Sequence, residues 1–316
     1  MKFARISKWR ALVALMFAFI VAYILFVFWR AIVPAEWEFS VEAETEVAEI
    51  NTRPRTRTQW QIDGAVLCAR GNLDLNDEFR LDSSDSPCGS RAWRAWRVPA
   101  PEQVLELGGD SAITLSLRPE GGLAMSLRAA EGESLGTFSV VGLTDDVALG
   151  EALNLIWTEI PAQSLTFPFS GTTTLGRAVG WSNVGMLRSG TVSIYTSDES
   201  ADKRTLVDET NLMLGDQIRL GDIEADGAWP KGFARISLGD DVLHVVAFGR
   251  ADSLRIDRYG ESGYELKPGR CRKLASDPAV ALFGSLLAAY MTLILALQPF
   301  ADHKYKSFKK WIRGED

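Results

Sequence analysis

The sequence predicts an all-β exported domain, a β-sandwich or jelly-roll-like fold, held between an N-terminal and a C-terminal transmembrane helix. Three observations predict it. Two long uncharged apolar runs stand near the ends of the 316-residue chain. Between them, short segments alternate apolar and polar residues and are parted by Gly, Asp, Asn and Pro, with almost no helical periodicity. Basic residues are also unequally distributed around the first run.

The runs are Ala11–Trp29 (ALVALMFAFIVAYILFVFW) and Ala279–Leu297 (AVALFGSLLAAYMTLILAL), each 19 residues without a charge. At helical rise such a run covers about 28 Å, close to the hydrocarbon thickness of a bilayer. Neither has the polar stripe of a soluble core helix. The spans are placed at 11–33 and 276–298. A cleaved leader is the rival for the first run, with small residues in VPAEW at 33–37. Its apolar stretch exceeds the about 7–15 residues usual for such leaders, which favours an uncleaved anchor. No cysteine follows closely enough for lipidation.

Lys2, Arg5, Lys8 and Arg10 precede the first run, whereas only Arg30 follows it closely, against Glu36, Glu38, Glu42 and Glu44. This asymmetry puts residues 1–10 in the cytoplasm. Two spans return the basic tail, 299–316, to the same side, where Lys304, Lys306, Lys309, Lys310 and Arg313 fit. Residues 34–275 then form a periplasmic domain on a bacterial cytoplasmic (inner) membrane. Residues 30–301 hold 25 basic and 38 acidic residues, a net charge of −13. That excess argues against a nucleic-acid partner.

Cys68, Cys88 and Cys271 all fall in the exported part, where disulfides persist. Cys68 and Cys88 flank a polar loop and are the expected disulfide; Cys271 is left over. With no CxxC and one histidine in the exported part, His244, no metal or other cofactor is expected.

Strands are predicted at 38–47, 112–118, 123–129, 136–141, 164–169, 190–196, 233–238, 242–248 and 253–257. RPEGG at 118–122 and LGDD at 238–241 read as hairpin loops. A short helix is expected near 147–156, after TDD at 144–146. The region is large for one sandwich, and Pro161 is where two packed β subdomains would divide. Within 37–62, Glu42, Glu44 and Glu46 alternate, as do Arg53, Arg55 and Arg57. A hairpin with paired positions summing to 99 would set each acid opposite an arginine and Phe39 opposite Trp60. The alternative is an acidic comb for a cation.

No GxSxG elbow, P-loop, dinucleotide fingerprint or zincin motif occurs, so the chain reads as non-catalytic. A membrane-anchored carboxylate-dependent hydrolase is an alternative whose acids the sequence does not single out. SRAWRAWRVPAP, 90–101, sets Arg91, Arg94 and Arg97 around Trp93 and Trp96. Those types suit an anionic, partly apolar surface such as a lipid headgroup or a glycan. The plainer arrangement buries the indoles under arginine stems.

A basic collar, Lys267, Arg270, Arg272 and Lys273, stands outside the second span, suited to lipid phosphates or an acidic partner. Ser276 or Asp277 would cap that span, with Pro278 in its first turn. Gly284 with Ala288, and Ser285 with Ala289, have small-xxx-small spacing for helix–helix contact. The tail HKYKSFKKWIRG suits an anionic lipid interface.

The expected function is a scaffold or accessory subunit of a membrane complex, in envelope assembly, export or polysaccharide handling. Its partners would be membrane lipids, other membrane or envelope proteins or further copies of itself, and polysaccharide. A glycan- or lipid-headgroup-binding module is the other alternative.

Overall fold

The computed structural model describes residues 17–29, 37–53, 56–71, 73–82, 86–89, 92–98, 103–140, 146–177, 185–196, 206–221, 229–251, 253–258, 263–267, 274, 277 and 279–292. The chain forms two compact units. One is Glu36–Lys267; the other joins Met1–Ala35 with Pro268–Asp316.

Among the described residues the terminal unit contains two helices, α1 (17–29) and α2 (279–292). They run antiparallel, because contacts rise along one as they fall along the other. Phe19 meets Tyr290 with ring centroids 5.8 Å apart, and Phe26 meets Phe283 at 4.9 Å. Between them the Tyr23 hydroxyl lies over Gly284, where a Cβ would meet it at 3.2 Å. Ile20, Tyr23 and Val27 on α1, and Val280, Gly284, Leu287 and Met291 on α2, are half-buried at helical spacing. Phe17, Leu25, Phe28, Leu282 and Leu286 point outward and are exposed. Asp277 caps α2 as expected: its carboxylate accepts from the Ala279 amide at 2.9 Å and the Val280 amide at 3.4 Å. Among the described residues no helix is long and apolar enough to cross a membrane. The remainder of both apolar runs lies outside the described residues.

The second unit is all-β. Its first eleven strands are β1 (Trp37–Thr45), β2 (Val47–Thr52), β3 (Thr58–Gln61), β4 (Val66–Ala69), β5 (Arg94–Arg97), β6 (Gln103–Leu107), β7 (Ser111–Leu117), β8 (Leu123–Ala129), β9 (Gly136–Val140), β10 (Val147–Leu149) and β11 (Ala152–Trp157). Eight follow: β12 (Leu165–Leu175), β13 (Leu187–Thr196), β14 (Leu206–Leu212), β15 (Gln217–Leu220), β16 (Lys231–Ile236), β17 (Leu243–Ala251), β18 (Leu254–Asp257) and β19 (Tyr264–Leu266). Each of the nine segments expected as strands holds a strand, and the one at 38–47 is parted at Glu46 into β1 and the start of β2. RPEGG closes the β7–β8 hairpin and LGDD the β16–β17 hairpin.

A 15-stranded sheet runs in the order β14-β13-β1-β17-β16-β12-β2-β7-β8-β11-β4-β5, with β15, β18 and β19 extending from β12. A four-stranded sheet runs β10-β9-β6-β3. Strands from both sides of Pro161 share the large sheet, and β12 is the junction. Its first half pairs with β16, and its second half pairs with β2 on one edge and β15 on the other. The small sheet meets the large one where Trp60 of β3 packs edge-on against Phe167 of β12, centroids 5.4 Å apart. Both indole N–H groups at this junction are satisfied. Trp60 donates to the Pro168 carbonyl at 2.7 Å, and Trp157 to the Asp63 carbonyl at 3.0 Å.

Two expectations are corrected. The segment 37–62 is not a hairpin. β1 lies between β13 and β17, and β2 lies between β7 and β12. The alternation itself is as read, with Phe39, Val41 and Ala43 inward and Glu42 and Glu44 outward. A local hairpin would give β1 one neighbour and a few tenths of a kcal/mol per exposed ion pair. Two flanking strands bury its entire apolar face instead. The helix expected at 147–156 is replaced by β10 and β11. Leu153 and Leu155 alternate with Asn154, and β11 pairs with β8 on one edge and β4 on the other.

Candidate functional site

The face of the large sheet that carries Glu42 and Glu44 presents its polar and apolar residues in ordered columns. Glu38, Ser40, Glu42 and Glu44 of β1 stand beside Tyr195, Ser193, Thr191 and Ser189 of β13. On the other side they stand beside Arg250, Phe248, Val246 and His244 of β17. β16 continues the rows with Lys231 beside Phe248, Phe233 beside Val246 and Arg235 beside His244. Phe233 and Phe248 are each 39% exposed. A solvent face is normally polar, so two open aromatic rings in mid-sheet are an unusual feature.

One end of this face is a charged corner. β1 passes into β2 at Glu46, just after the pairing with β13 shifts register between Glu44 and Thr45. The Glu46 carboxylate accepts from the Gly185 and Met186 amides at 3.0 and 3.2 Å, and from Arg188 at 3.1 Å. Arg188 also donates to Asp241 at 2.7 Å. Those carboxylates, Asp241 first, raise the Arg188 pKa. In turn Arg188 holds the Asp241 carboxyl below its ordinary value. These residues line a cavity of about 380 Å³ with Arg118, Gly121, Gly122 and Asp240. Alongside, Ser189 donates to Glu44 at 2.8 Å, and His244 lies 3.9 Å from Glu44 and 3.8 Å from Asp240. Among the described residues no three His, Cys, Asp or Glu side chains gather as metal ligands.

The other end is an aromatic and basic groove of about 250 Å³, lined by Trp229 and Phe248 with Arg53, Lys231, Arg250 and Glu38. Sequence reasoning passed over it. The signal was the alternation in WPKGFARI, which puts Trp229, Lys231, Phe233 and Arg235 on one face.

The Arg/Trp segment at 90–101 is arranged differently. Trp96 is 2% exposed, and it and Ala95 are buried on opposite faces of β5. Trp93 is half-buried and packs with Cys88 against the cluster of Val66, Cys68, Ala95 and Ile156. The Arg70 guanidinium lies 5.1 Å over its ring. Arg94 and Arg97 are exposed, and Arg91 lies outside the described residues. The disulfide forms between Cys68 and Cys88, with Cα atoms 5.7 Å apart. Lys267 pairs with Glu265, whose carboxyl it holds below its ordinary value. Arg270, Cys271, Arg272 and Lys273 lie outside the described residues. On α2, Gly284 is at the contact with α1, while Ser285, Ala288 and Ala289 are exposed.

Comparison with protein-family models, curated proteins and solved structures finds no match for this chain.

Proposed function

We propose that the chain is a non-catalytic, two-span envelope protein of a bacterial cytoplasmic membrane, with both termini cytoplasmic and its β domain in the periplasm. There it serves as a scaffold or accessory subunit of a membrane complex. The observation that carries the membrane anchor is the antiparallel helix pair. Its stretches, 17–29 and 279–292, contain no charged residue, and Phe17, Leu25, Phe28, Leu282 and Leu286 face outward. A helix pair apolar on its outer side is matched to hydrocarbon, not to water. The partners are membrane lipids, other envelope proteins or further copies of the chain.

The scaffold reading draws on the open sheet face, where Phe233 and Phe248 stand among charged residues as contact residues do. The hydrolase alternative has less support at the charged corner. A general acid there needs a raised pKa, and Arg188 depresses that of Asp241. Affinity purification of the full chain in mild detergent, with identification of co-eluting proteins, tests the proposal. A stoichiometric envelope partner or a defined homo-oligomer is expected. A chain that elutes alone as a monomer counts against it.

A further inference from the structure

We infer that the groove between Trp229 and Phe248 binds an anionic saccharide, one acidic sugar ring at a time. This ligand assignment is independent of the membrane assembly proposed above.

The first argument is chemical. The groove brings two aromatic side chains together with Arg53, Lys231 and Arg250, against one acid, Glu38. The C–H face of a sugar ring covers an aromatic surface, while its carboxylate takes charge-assisted hydrogen bonds from guanidinium or ammonium. A neutral apolar ligand has no use for three cations. A long, densely charged polyanion meets the acidic column Glu38, Glu42 and Glu44 on the adjacent strand, within a region of net charge −13. A single acidic ring seated at the groove, with the rest of its chain leading away from that column, suits both features.

The second argument is size. About 250 Å³ is just below the roughly 300–1,000 Å³ of pockets that enclose whole drug-sized molecules. It accommodates one ring of a longer chain.

The third argument is construction. Pro230, directly after Trp229, is wedged between two glycines. A Cβ at Gly221 would meet its Cγ at 2.6 Å, and one at Gly249 would meet its Cα at 3.2 Å. Gly221 also has φ +89°, a conformation that side chains other than glycine resist. The Pro230 carbonyl accepts from the Gly171 amide at 2.9 Å. The backbone that carries Trp229 is therefore fixed before any ligand arrives, which lowers the ordering cost of binding.

Isothermal titration of the full chain in detergent tests this, with hexagalacturonate, its methyl ester and an oligothymidylate of equal length as probes. Hexagalacturonate binds, and the ester binds at least about tenfold more weakly. Trp229→Ala loses about tenfold or more, and so does Arg53→Ala with Lys231→Ala. Phe248→Leu, which keeps an apolar side chain in place, loses severalfold at an unchanged melting temperature. Trp93→Ala leaves affinity as it was. The inference is overturned by no binding at millimolar hexagalacturonate, by equal binding of the ester, by tighter binding of oligothymidylate, or by a Phe248→Leu chain that binds like the native one.

Discussion

Two regions of this protein combine arginine with tryptophan or phenylalanine, and they arrange them in opposite ways. In β5 the indole of Trp96 enters the core while Arg94 and Arg97 remain outside. Around β16 and β17 the rings of Phe233 and Phe248 are on the open face, Phe248 beside Lys231 and Phe233 between Lys231 and Arg235 along β16. Composition is similar in the two places, and register separates them. β5 ends its path of the sheet, and both its faces are covered: Ala95 joins the disulfide-tied cluster on one face while Trp96 is buried on the other. β17 is flanked on both edges, and Ala247, Val245 and Leu243 already fill its core side, so Phe248 faces out. An arginine–aromatic segment is thus core or surface according to what lies behind it.

Substitutions can break or sharpen that contrast. The largest effect falls on the core member. Trp96→Ala removes a fully enclosed indole and should lower stability by about 3–5 kcal/mol in chemical denaturation. Trp229→Ala, at a half-buried surface position, should cost only about 1 kcal/mol. Equal losses would abolish the distinction.

Next comes the pair beneath β15. Asp216 is fully buried and accepts from the Met213 amide at 2.9 Å and from Arg258 at 2.9 and 3.0 Å. Asp216→Ala removes the buried carboxylate from Arg258, which keeps its place over the Tyr264 ring, and should cost about 3 kcal/mol. Arg258→Ala in the same background should then add little, which a double-mutant cycle measures.

Replacing Cys68 and Cys88 together by serine opens the tie under Trp93 and should cost about 3 kcal/mol. Its signature is local: proteolysis should begin at the 69–87 loop while the face of β16 and β17 stays protected.

The smallest effect is at the charged corner. The Asp241 pKa is depressed by Arg188, so this pair's contribution is complete above the ordinary carboxylate range and is lost as pH falls through the lowered value. An NMR titration should show Asp241 protonating below the usual value of about 3.9. In Arg188→Ala it should return to the ordinary range.

Much of the fold is legible in the sequence because period-two alternation is local. Each of the nine anticipated segments holds a strand, and both Gly-containing loops close hairpins. Asp277 caps α2, and Cys68 pairs with Cys88. Strand partnership was less legible. Glu42, Glu44 and Glu46 match Arg57, Arg55 and Arg53 in a plausible hairpin, yet β1 chooses β13 and β17, well over a hundred residues away. Exposed charge pairs are too weak to set partnership when a central position buries Phe39 and Val41 completely. The groove was missed for the same reason. Trp229 and Phe248 meet across the local β16–β17 hairpin, but Glu38 and Arg53 join them only through the distant pairings of β1 and β2.

On the proposed topology, the open aromatic face belongs to an externally disposed, membrane-anchored domain. Trp229→Cys in a chain carrying Cys271→Ser tests it directly, since Cys68 and Cys88 are already bonded to each other. A membrane-impermeant maleimide applied to intact bacterial spheroplasts should label position 229 as fully as it does after permeabilisation. Labelling that requires permeabilisation would contradict the claim.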